Sequence, residues 1–253
     1  MMDWKQDAEQ IKGDFNRNGF IILRQYMSAA EVSEVGDNIE RYVTDVLPGL
    51  PGDDAYYEVK GDAATIMRLS RMTDHDRYFR DLYGSDPFFG LAGHLLGGAR
   101  ESMLQWFNKP PRVGKVTPPH QDGFYFMLEP NEALTLWLAI DAADEENGCI
   151  RYVAGSHRRG MRPHRRSEVL GFSQGITDFG DDDHAEEVAI VVEPGDLIAH
   201  HSMIIHRADA NPSDRSRSAL GMVYYAERAV EDLEKREAYQ QQLWAQWQAE
   251  GKL

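Results

Sequence analysis

The sequence predicts a mainly β protein with flanking helices, its strands forming an antiparallel sandwich or barrel. Three observations carry this prediction. Up to Arg100, apolar residues recur at helical spacing between Pro and Gly stops. After Arg100, short apolar runs alternate with Gly, Pro, Asn and Asp clusters. Asn147-Gly148 and Pro194-Gly195-Asp196 are tight-turn sequences lying between such runs.

Residues 6–16 are polar with apolar positions at helical spacing, and Asn18-Gly19 breaks the run ahead of a strand at Phe20-Ile21-Ile22-Leu23. Ser28-Ala29-Ala30-Glu31 is a capping box, in which the serine hydroxyl and the glutamate satisfy each other's orphan backbone N–H groups. It opens a helix whose Val32, Val35, Ile39, Tyr42, Val43 and Val46 follow helical spacing until Pro48-Gly49. Two shorter helices are expected over 74–83 and 86–96, the second closed by Gly97-Gly98. Strands follow over 103–108, 133–142, 150–154, 187–192, 196–206 and 219–226, and a polar helix covers 230–248. No repeat, low-complexity tract or linker divides the chain. The expectation is therefore one domain over 1–253, with N-terminal helices over 1–100 packed on a β core over 100–226.

Composition narrows the function. The formal net charge of −15 repels phosphate backbones and anionic membrane surfaces, so neither nucleic acid nor membrane is an expected partner, and a small-molecule substrate is. The single cysteine, Cys149, excludes an internal disulfide framework and a thiolate-rich zinc or iron–sulfur site. Without a basic segment followed by an apolar run near the N-terminus, or any run long enough to span a bilayer, a cytoplasmic protein is expected.

The chemistry concentrates in Pro119-His120-Gln121-Asp122-Gly123-Phe124-Tyr125-Phe126. In an extended chain His120 and Asp122 point to one face, presenting a neutral nitrogen and a carboxylate to a divalent metal. A third ligand must come from elsewhere. Of the nine histidines, His75 and His184 sit among acidic residues where solvation is the simpler role, and His94 lies in an apolar helix as a structural histidine would. The run Ala199-His200-His201-Ser202-Met203-Ile204-Ile205-His206 remains. Strand parity places His200 and His206 on one face and does not choose between them. The turn from Asn211 to Arg217, which returns an arginine into the barrel near His206, favours His206. Two histidines and a carboxylate leave three positions open on an octahedral ion, which suits Fe(II) that must take a chelating cosubstrate together with O2. An arginine fork can then hold the far carboxylate of a dicarboxylic acid.

These residues, with the segment from Trp137 to Asp141, Asn147-Gly148, Gly155-Ser156-His157-Arg158 and Gly195-Asp196, resemble the phytanoyl-CoA dioxygenase family of Fe(II)/2-oxoglutarate oxygenases over about residues 10–226. The resemblance implies a double-stranded β-helix, a jelly-roll of the cupin-like kind. It implies Fe(II) on His120, Asp122 and His206, and Arg217 on the distal carboxylate of 2-oxoglutarate. It further implies that O2 converts the cosubstrate to succinate and CO2 while a substrate is hydroxylated. Gln105, Lys109 and Trp137 stand where the family lines the cosubstrate pocket, although they also suit a purely structural role in the barrel wall. Retention of Asp122 favours hydroxylation over halogenation, since halogenating relatives carry a small residue there.

Two rivals share parts of this pattern: a cupin-like hydrolase or isomerase using Zn²⁺ or Mn²⁺ as a Lewis acid, and a non-catalytic ligand-binding barrel. Arg217 argues against both. The stretch 157–166 holds five arginines and two histidines, in a connection that runs to the next predicted strand at 187 without clear secondary structure. It suits a solvated loop that offsets acidic neighbours such as Asp181-Asp182-Asp183, or a local anion site; the expectation is the anion site, with Arg162 and Arg165 meeting a carboxylate, phosphate or phosphonate and Phe124, Tyr125 or Phe126 packing on the apolar part of the substrate.

Overall fold

The computed structural model describes residues 1–50, 52, 54–59, 61–166 and 174–249. Its first part runs through α1 (Ala8–Asn18), β1 (Phe20–Leu23), α2 (Ala29–Arg41), β2 (Ala55–Tyr57), β3 (Ile66–Leu69), α3 (Met72–His75), α4 (Arg77–Tyr83) and α5 (Asp86–Leu96). α1 stops where the sequence predicts, because Gly19 adopts φ +80° and returns its N–H to Phe15. The capping box of α2 is formed: Ser28 N–H donates to Glu31 at 2.8 Å, and Glu31 N–H donates to Ser28 Oγ at 3.4 Å. That helix widens into a π-turn over Tyr42–Val46 instead of running on as α-helix to Val46. The predicted helix over 74–83 is two helices, since Asp76 is extended and its carboxylate caps α4 through the N–H groups of Tyr78 and Phe79.

Strands then dominate: β4 (Ala99–Lys109), β5 (Thr117–His120), the single-turn α6 (Gly123–Phe126), β6 (Leu128–Glu129), β7 (Ala133–Ala139) and β8 (Ile150–Val153). After them come β9 (His164–Arg166), β10 (Gln174–Ile176), α7 (Asp181–Glu186), β11 (Glu187–Ile190), β12 (Leu197–His201), β13 (His206–Ala208), β14 (Arg217–Ala226), β15 (Val230–Glu231) and α8 (Leu233–Ala249). Two antiparallel sheets form the body. A seven-stranded sheet has the order β1-β12-β7-β14-β4-β3-β2, and a four-stranded sheet the order β11-β8-β13-β5. The mostly antiparallel architecture with flanking helices, and its jelly-roll core, agree with the expected fold class.

Alternation along the large sheet divides its two faces. Leu104 and Trp106 of β4, Leu134, Leu136 and Leu138 of β7, and Leu220, Met222 and Tyr224 of β14 turn one way, into a core shared with Phe15, Val35, Phe79, Phe88 and Leu91 of the helices. Truncating one such leucine to alanine costs about 2–5 kcal/mol. The residues between them turn the other way. Gln105, Lys109, Thr135, Trp137, His200 and Arg217 line a cavity facing the small sheet. β7 and β14 are buried along their whole length for this reason, with helices on one face and the cavity wall on the other.

Two expectations fail here. The run 196–206 is not one strand: β12 ends at His201, the chain turns through Ser202 and Met203, and β13 begins at His206 in the other sheet. An uninterrupted strand would hold both histidines on one sheet. The 154–187 connection is not free of secondary structure either, since β9 and β10 pair as a small hairpin and α7 precedes β11. Residues 167–173, inside this connection, lie outside the described residues.

Candidate active site

The small sheet brings two histidines together by register. His206 on β13 lies directly opposite His120 on β5, and their ring centroids are 4.1 Å apart. Asp122 joins them by a route the sequence does not suggest. The strand stops at His120, and Asp122 takes helical angles as the first residue of a turn continued by α6. Extended-chain parity is therefore the wrong geometry for this pair. Gly123 permits the bend: a Cβ there would lie 2.4 Å from Asn131 Oδ1, and its N–H donates to Ser202 O at 2.8 Å. Gln121, fully buried, pins the turn by donating to Gly160 O and Met203 O and accepting from Arg162 N–H.

One ligand atom from each of His120, Asp122 and His206 lies within 4.8 Å of the others. Asp122 Oδ1 is 3.5 Å from His120 Nε2 and 3.8 Å from His206 Nε2. Each of these imidazoles has its Nδ1 against a backbone carbonyl, Pro118 O at 2.8 Å and Ile204 O at 3.1 Å. A carbonyl only accepts, so Nδ1 carries the hydrogen and Nε2 presents a lone pair. Burial and the nearby His120 lower His206 to about 3, leaving it neutral at physiological pH. Burial pushes the Asp122 carboxyl up, but the imidazoles around it, with His200 donating to Oδ2, prevail and hold it well below the usual carboxylate range. Two nitrogen lone pairs and a carboxylate oxygen thus converge with no donor between them. That donor set fits a divalent ion such as Fe(II).

The large sheet supplies the other end of the cavity. Arg217, the first residue of β14, pairs in register with Lys109, the last of β4. Both are buried, at 6% and 4% exposure. Among the described residues no carboxylate pairs with Arg217, its Nε has no hydrogen-bond partner, and its guanidinium lies 5.4 Å from the centre of the Trp137 ring. Burial lowers it to about 10, so it remains charged at neutral pH. Lys109 donates to Lys115 O, and burial, aided by Arg217, lowers its ammonium to about 7. Two adjacent buried cationic groups with no carboxylate paired to either among the described residues are unfavourable unless a ligand supplies an anion. The cavity that joins them to the histidines measures about 350 Å³.

The remaining expected residues divide. Gln105 lines the cavity, its amide donating to Ser70 Oγ at 3.4 Å. Tyr125 and Phe126 line it too, with Tyr125 Oη donating to Gln174 O at 2.9 Å. Phe124 does not: its ring stacks on His164 with centroids 4.5 Å apart. Arg162 and Arg165 do not reach the cavity either. Arg162 is held by Asp178 and Asp183 at 2.9 and 3.2 Å, and Arg165 is exposed on β9. Arg159 and Arg162 thus find acidic partners from the same connection, Glu186, Asp178 and Asp183, as the charge-balanced loop would have it.

Behind Asp122 stand His200, which the sequence offers only as a rival ligand, and two polar residues that escape sequence reasoning, Thr135 and Tyr152. His200 Nε2 lies 3.3 Å from Asp122 Oδ2, Thr135 Oγ1 lies 3.3 Å from the same oxygen, and Tyr152 Oη lies 2.8 Å from His200 Nδ1. Thr135 shares parity with Trp137, a signal that was available. Tyr152 carries none, because its importance depends on which sheet faces it.

Several known proteins are similar to this chain. Peroxisomal phytanoyl-CoA dioxygenase of Bos taurus is 35% identical over 224 residues, 81% of this chain, and the chain spans 65% of the length of that relative. The crystal structure of EvdO2 from Micromonospora carbonacea var. aurantiaca, complexed with 2-oxoglutarate, has a TM-score of 0.69 at 25% identity, covering 88% of this chain and 91% of that one. The epimerase SnoN, in complex with Fe3+, alpha ketoglutarate and nogalamycin RO, has a TM-score of 0.72 at 22% identity over 90% of this chain and 86% of its own, a likeness of fold. With residues 15–219 matching the family described as Phytanoyl-CoA dioxygenase (PhyH), the chain belongs to the phytanoyl-CoA dioxygenase family.

Proposed function

We propose that the chain is an Fe(II)- and 2-oxoglutarate-dependent dioxygenase that hydroxylates a small organic molecule. His120, Asp122 and His206 hold the metal, and Arg217 holds the distal carboxylate of the cosubstrate. The observation that carries this is Arg217, a buried guanidinium without a carboxylate partner among the described residues, in the same cavity as the His-Asp-His cluster. A Lewis-acid hydrolase or isomerase needs the cluster but not the arginine, and a simple binding barrel needs neither lone-pair convergence nor a charged far end.

Bound iron would supply the redox chemistry by which O2, 2-oxoglutarate and substrate give succinate, CO2 and a hydroxylated product. The protein's part is placement. Arg217 offers a planar fork to a carboxylate, and Trp137 backs that guanidinium on one side. Lys109 adds a second donor whose charge the bound anion favours. Met67, Met103, Tyr125, Phe126 and Tyr225 add an apolar and aromatic lining to the cavity. Charged groups that line the cavity also form pairs, Glu58 with Lys115 and Arg236 with Glu231. These features support a substrate with an apolar or aromatic body, recognised by shape more than by charge.

The core shared by the N-terminal helices and the large sheet supports one oxygenase domain, and the single buried thiol of Cys149 supports a reducing, cytoplasmic setting. Among the described residues no helix is long and apolar enough to cross a membrane. Anaerobic addition of Fe(II) and 2-oxoglutarate tests the reading, with a visible metal-to-ligand charge-transfer band as the expected result. Absence of the band with metal bound would favour the Lewis-acid alternative. Substrate-stimulated succinate release across apolar, anionic and cationic panels then tests the substrate class.

A further inference from the structure

Asp122 has two oxygens, and the structure treats them differently. Oδ1 faces the two imidazoles, while Oδ2 faces away from them, toward His200 and Thr135. His200 and Thr135 belong to the large sheet, where they are register partners on β12 and β7. The carboxylate is therefore reached by its own turn from one side and by the opposite sheet from the other.

Hydrogen-bond chemistry gives this contact a direction. An ionised carboxylate only accepts, so His200 Nε2 carries the hydrogen that meets Oδ2 at 3.3 Å. His200 Nδ1 is then an acceptor, and Tyr152 Oη donates to it at 2.8 Å. The order Tyr152 to His200 to Asp122 follows from the partners alone. Tyr152 is fully buried, its ring stacked on Phe20 at 4.7 Å, and it is the register partner of His206 on β8. It thus ties the histidine behind the carboxylate to the strand that carries a ligand. His200 is 3% exposed with both ring nitrogens engaged, an arrangement that holds the ring in one orientation.

We propose that Tyr152 and His200 are positioning residues that hold Asp122 by Oδ2, so that it offers a metal only Oδ1. Thr135 adds a second donor to the same oxygen. This rests on the iron reading above and adds to it a reason for the aspartate's geometry. A carboxylate can ligate through one oxygen or two, and a second aspartate oxygen on the ion would occupy one of the three positions that a facial set leaves open. Partners behind a ligand are worth about 10–100-fold in metal affinity in comparable sites.

The test is a Co(II) titration of the full-length metal-free protein, following the d–d absorption, alongside thermal unfolding. Wild type is compared with His200→Leu, His200→Gln and Tyr152→Phe. Leucine removes the donor to Oδ2, glutamine restores an N–H donor, and phenylalanine removes only the tyrosine hydroxyl. The expected result is Co(II) affinity weakened about 10–100-fold in His200→Leu, less in Tyr152→Phe, and recovered in large part by His200→Gln, with a d–d band altered in the leucine variant. Affinities and spectra equal to wild type in all three would overturn the proposal. So would equal losses in the leucine and glutamine variants with an unchanged band, which is what lost packing alone would produce. If His200→Leu does not fold, Tyr152→Phe decides, because its ring remains stacked on Phe20. Wild type that binds Co(II) and chelates 2-oxoglutarate beside unchanged variants sinks the relay alone, whereas wild type that binds no metal sinks the iron reading with it.

Discussion

Arg217 on the cavity floor and Arg162 in the connection after Gly155-Ser156-His157 carry the same side chain in opposite settings. Arg162 stands among Asp178, Asp183 and other acidic neighbours, half-buried and fully paired. Arg217 lies beside a second cation, Lys109, and 5.4 Å from the Trp137 ring, with no carboxylate partner among the described residues. In sequence the first looks like the anion site, because five arginines fall within 157–166. In the folded chain the second has the character of one. Local density of charge measures solvation and self-pairing, whereas a buried charge without a partner points to a ligand from outside.

The comparison breaks most completely at the metal. His206→Ala is expected to abolish stoichiometric Fe(II) binding and succinate release, measured by metal analysis of the isolated protein and by turnover. Near-normal values in that variant, with both lost in His200→Ala, would transfer the ligand role to His200.

The next effect sharpens the contrast between the two arginines. Arg217→Ala should weaken 2-oxoglutarate by about 1.5–3 kcal/mol, the worth of charged hydrogen bonds, read from titration of the charge-transfer band. Arg217→Lys keeps the charge but not the fork and should lose somewhat less. Arg162→Gln should leave that affinity unchanged, and a matching loss there would erase the distinction.

A smaller effect concerns pH. With its ammonium lowered from 10.5 to about 7, Lys109 is neutral in the folded chain above that value but still charged when unfolded. The unfolded state binds the extra proton between about pH 7 and 10.5, so the destabilisation from this group is full below pH 7 and fades as pH rises through that window. A bound dicarboxylate favours the charged form. Affinity for 2-oxoglutarate should therefore fall between pH 7 and 9, by no more than about tenfold per pH unit for one linked proton, and Lys109→Met should flatten the slope. A slope identical in both proteins would assign it elsewhere.

The smallest effect belongs to the loop. Removing the Arg162 pairs should lower stability by about 0.2–1 kcal/mol, as for other solvent-accessible ion pairs, seen as a slight fall in the denaturation midpoint. A large loss would mean that Arg162 holds Gln121 and the metal turn, to which its backbone already donates.

Local chemistry made much of this protein legible from its sequence. The capping box of α2, the Gly19 stop and the turn at Asn147-Gly148 act within a few residues, so nothing distant could override them. Period-two alternation likewise marked most strands of the large sheet, because one of its faces meets an apolar core. The residues His120, Asp122, His206 and Arg217 were readable by chemical type and order along the chain. Their geometry was not. Asp122 meets the histidines through a helical turn, His206 lies in a different sheet from His200, and Phe124 turns outward to His164. Each outcome depends on which strands pair and which faces oppose, contacts between residues far apart in sequence. For the same reason only the tertiary structure placed Tyr152, His200 and Thr135 behind one carboxylate oxygen and left Arg217 buried with no carboxylate partner among the described residues: burial and pairing are properties of the surroundings, and no residue carries its surroundings in its own identity.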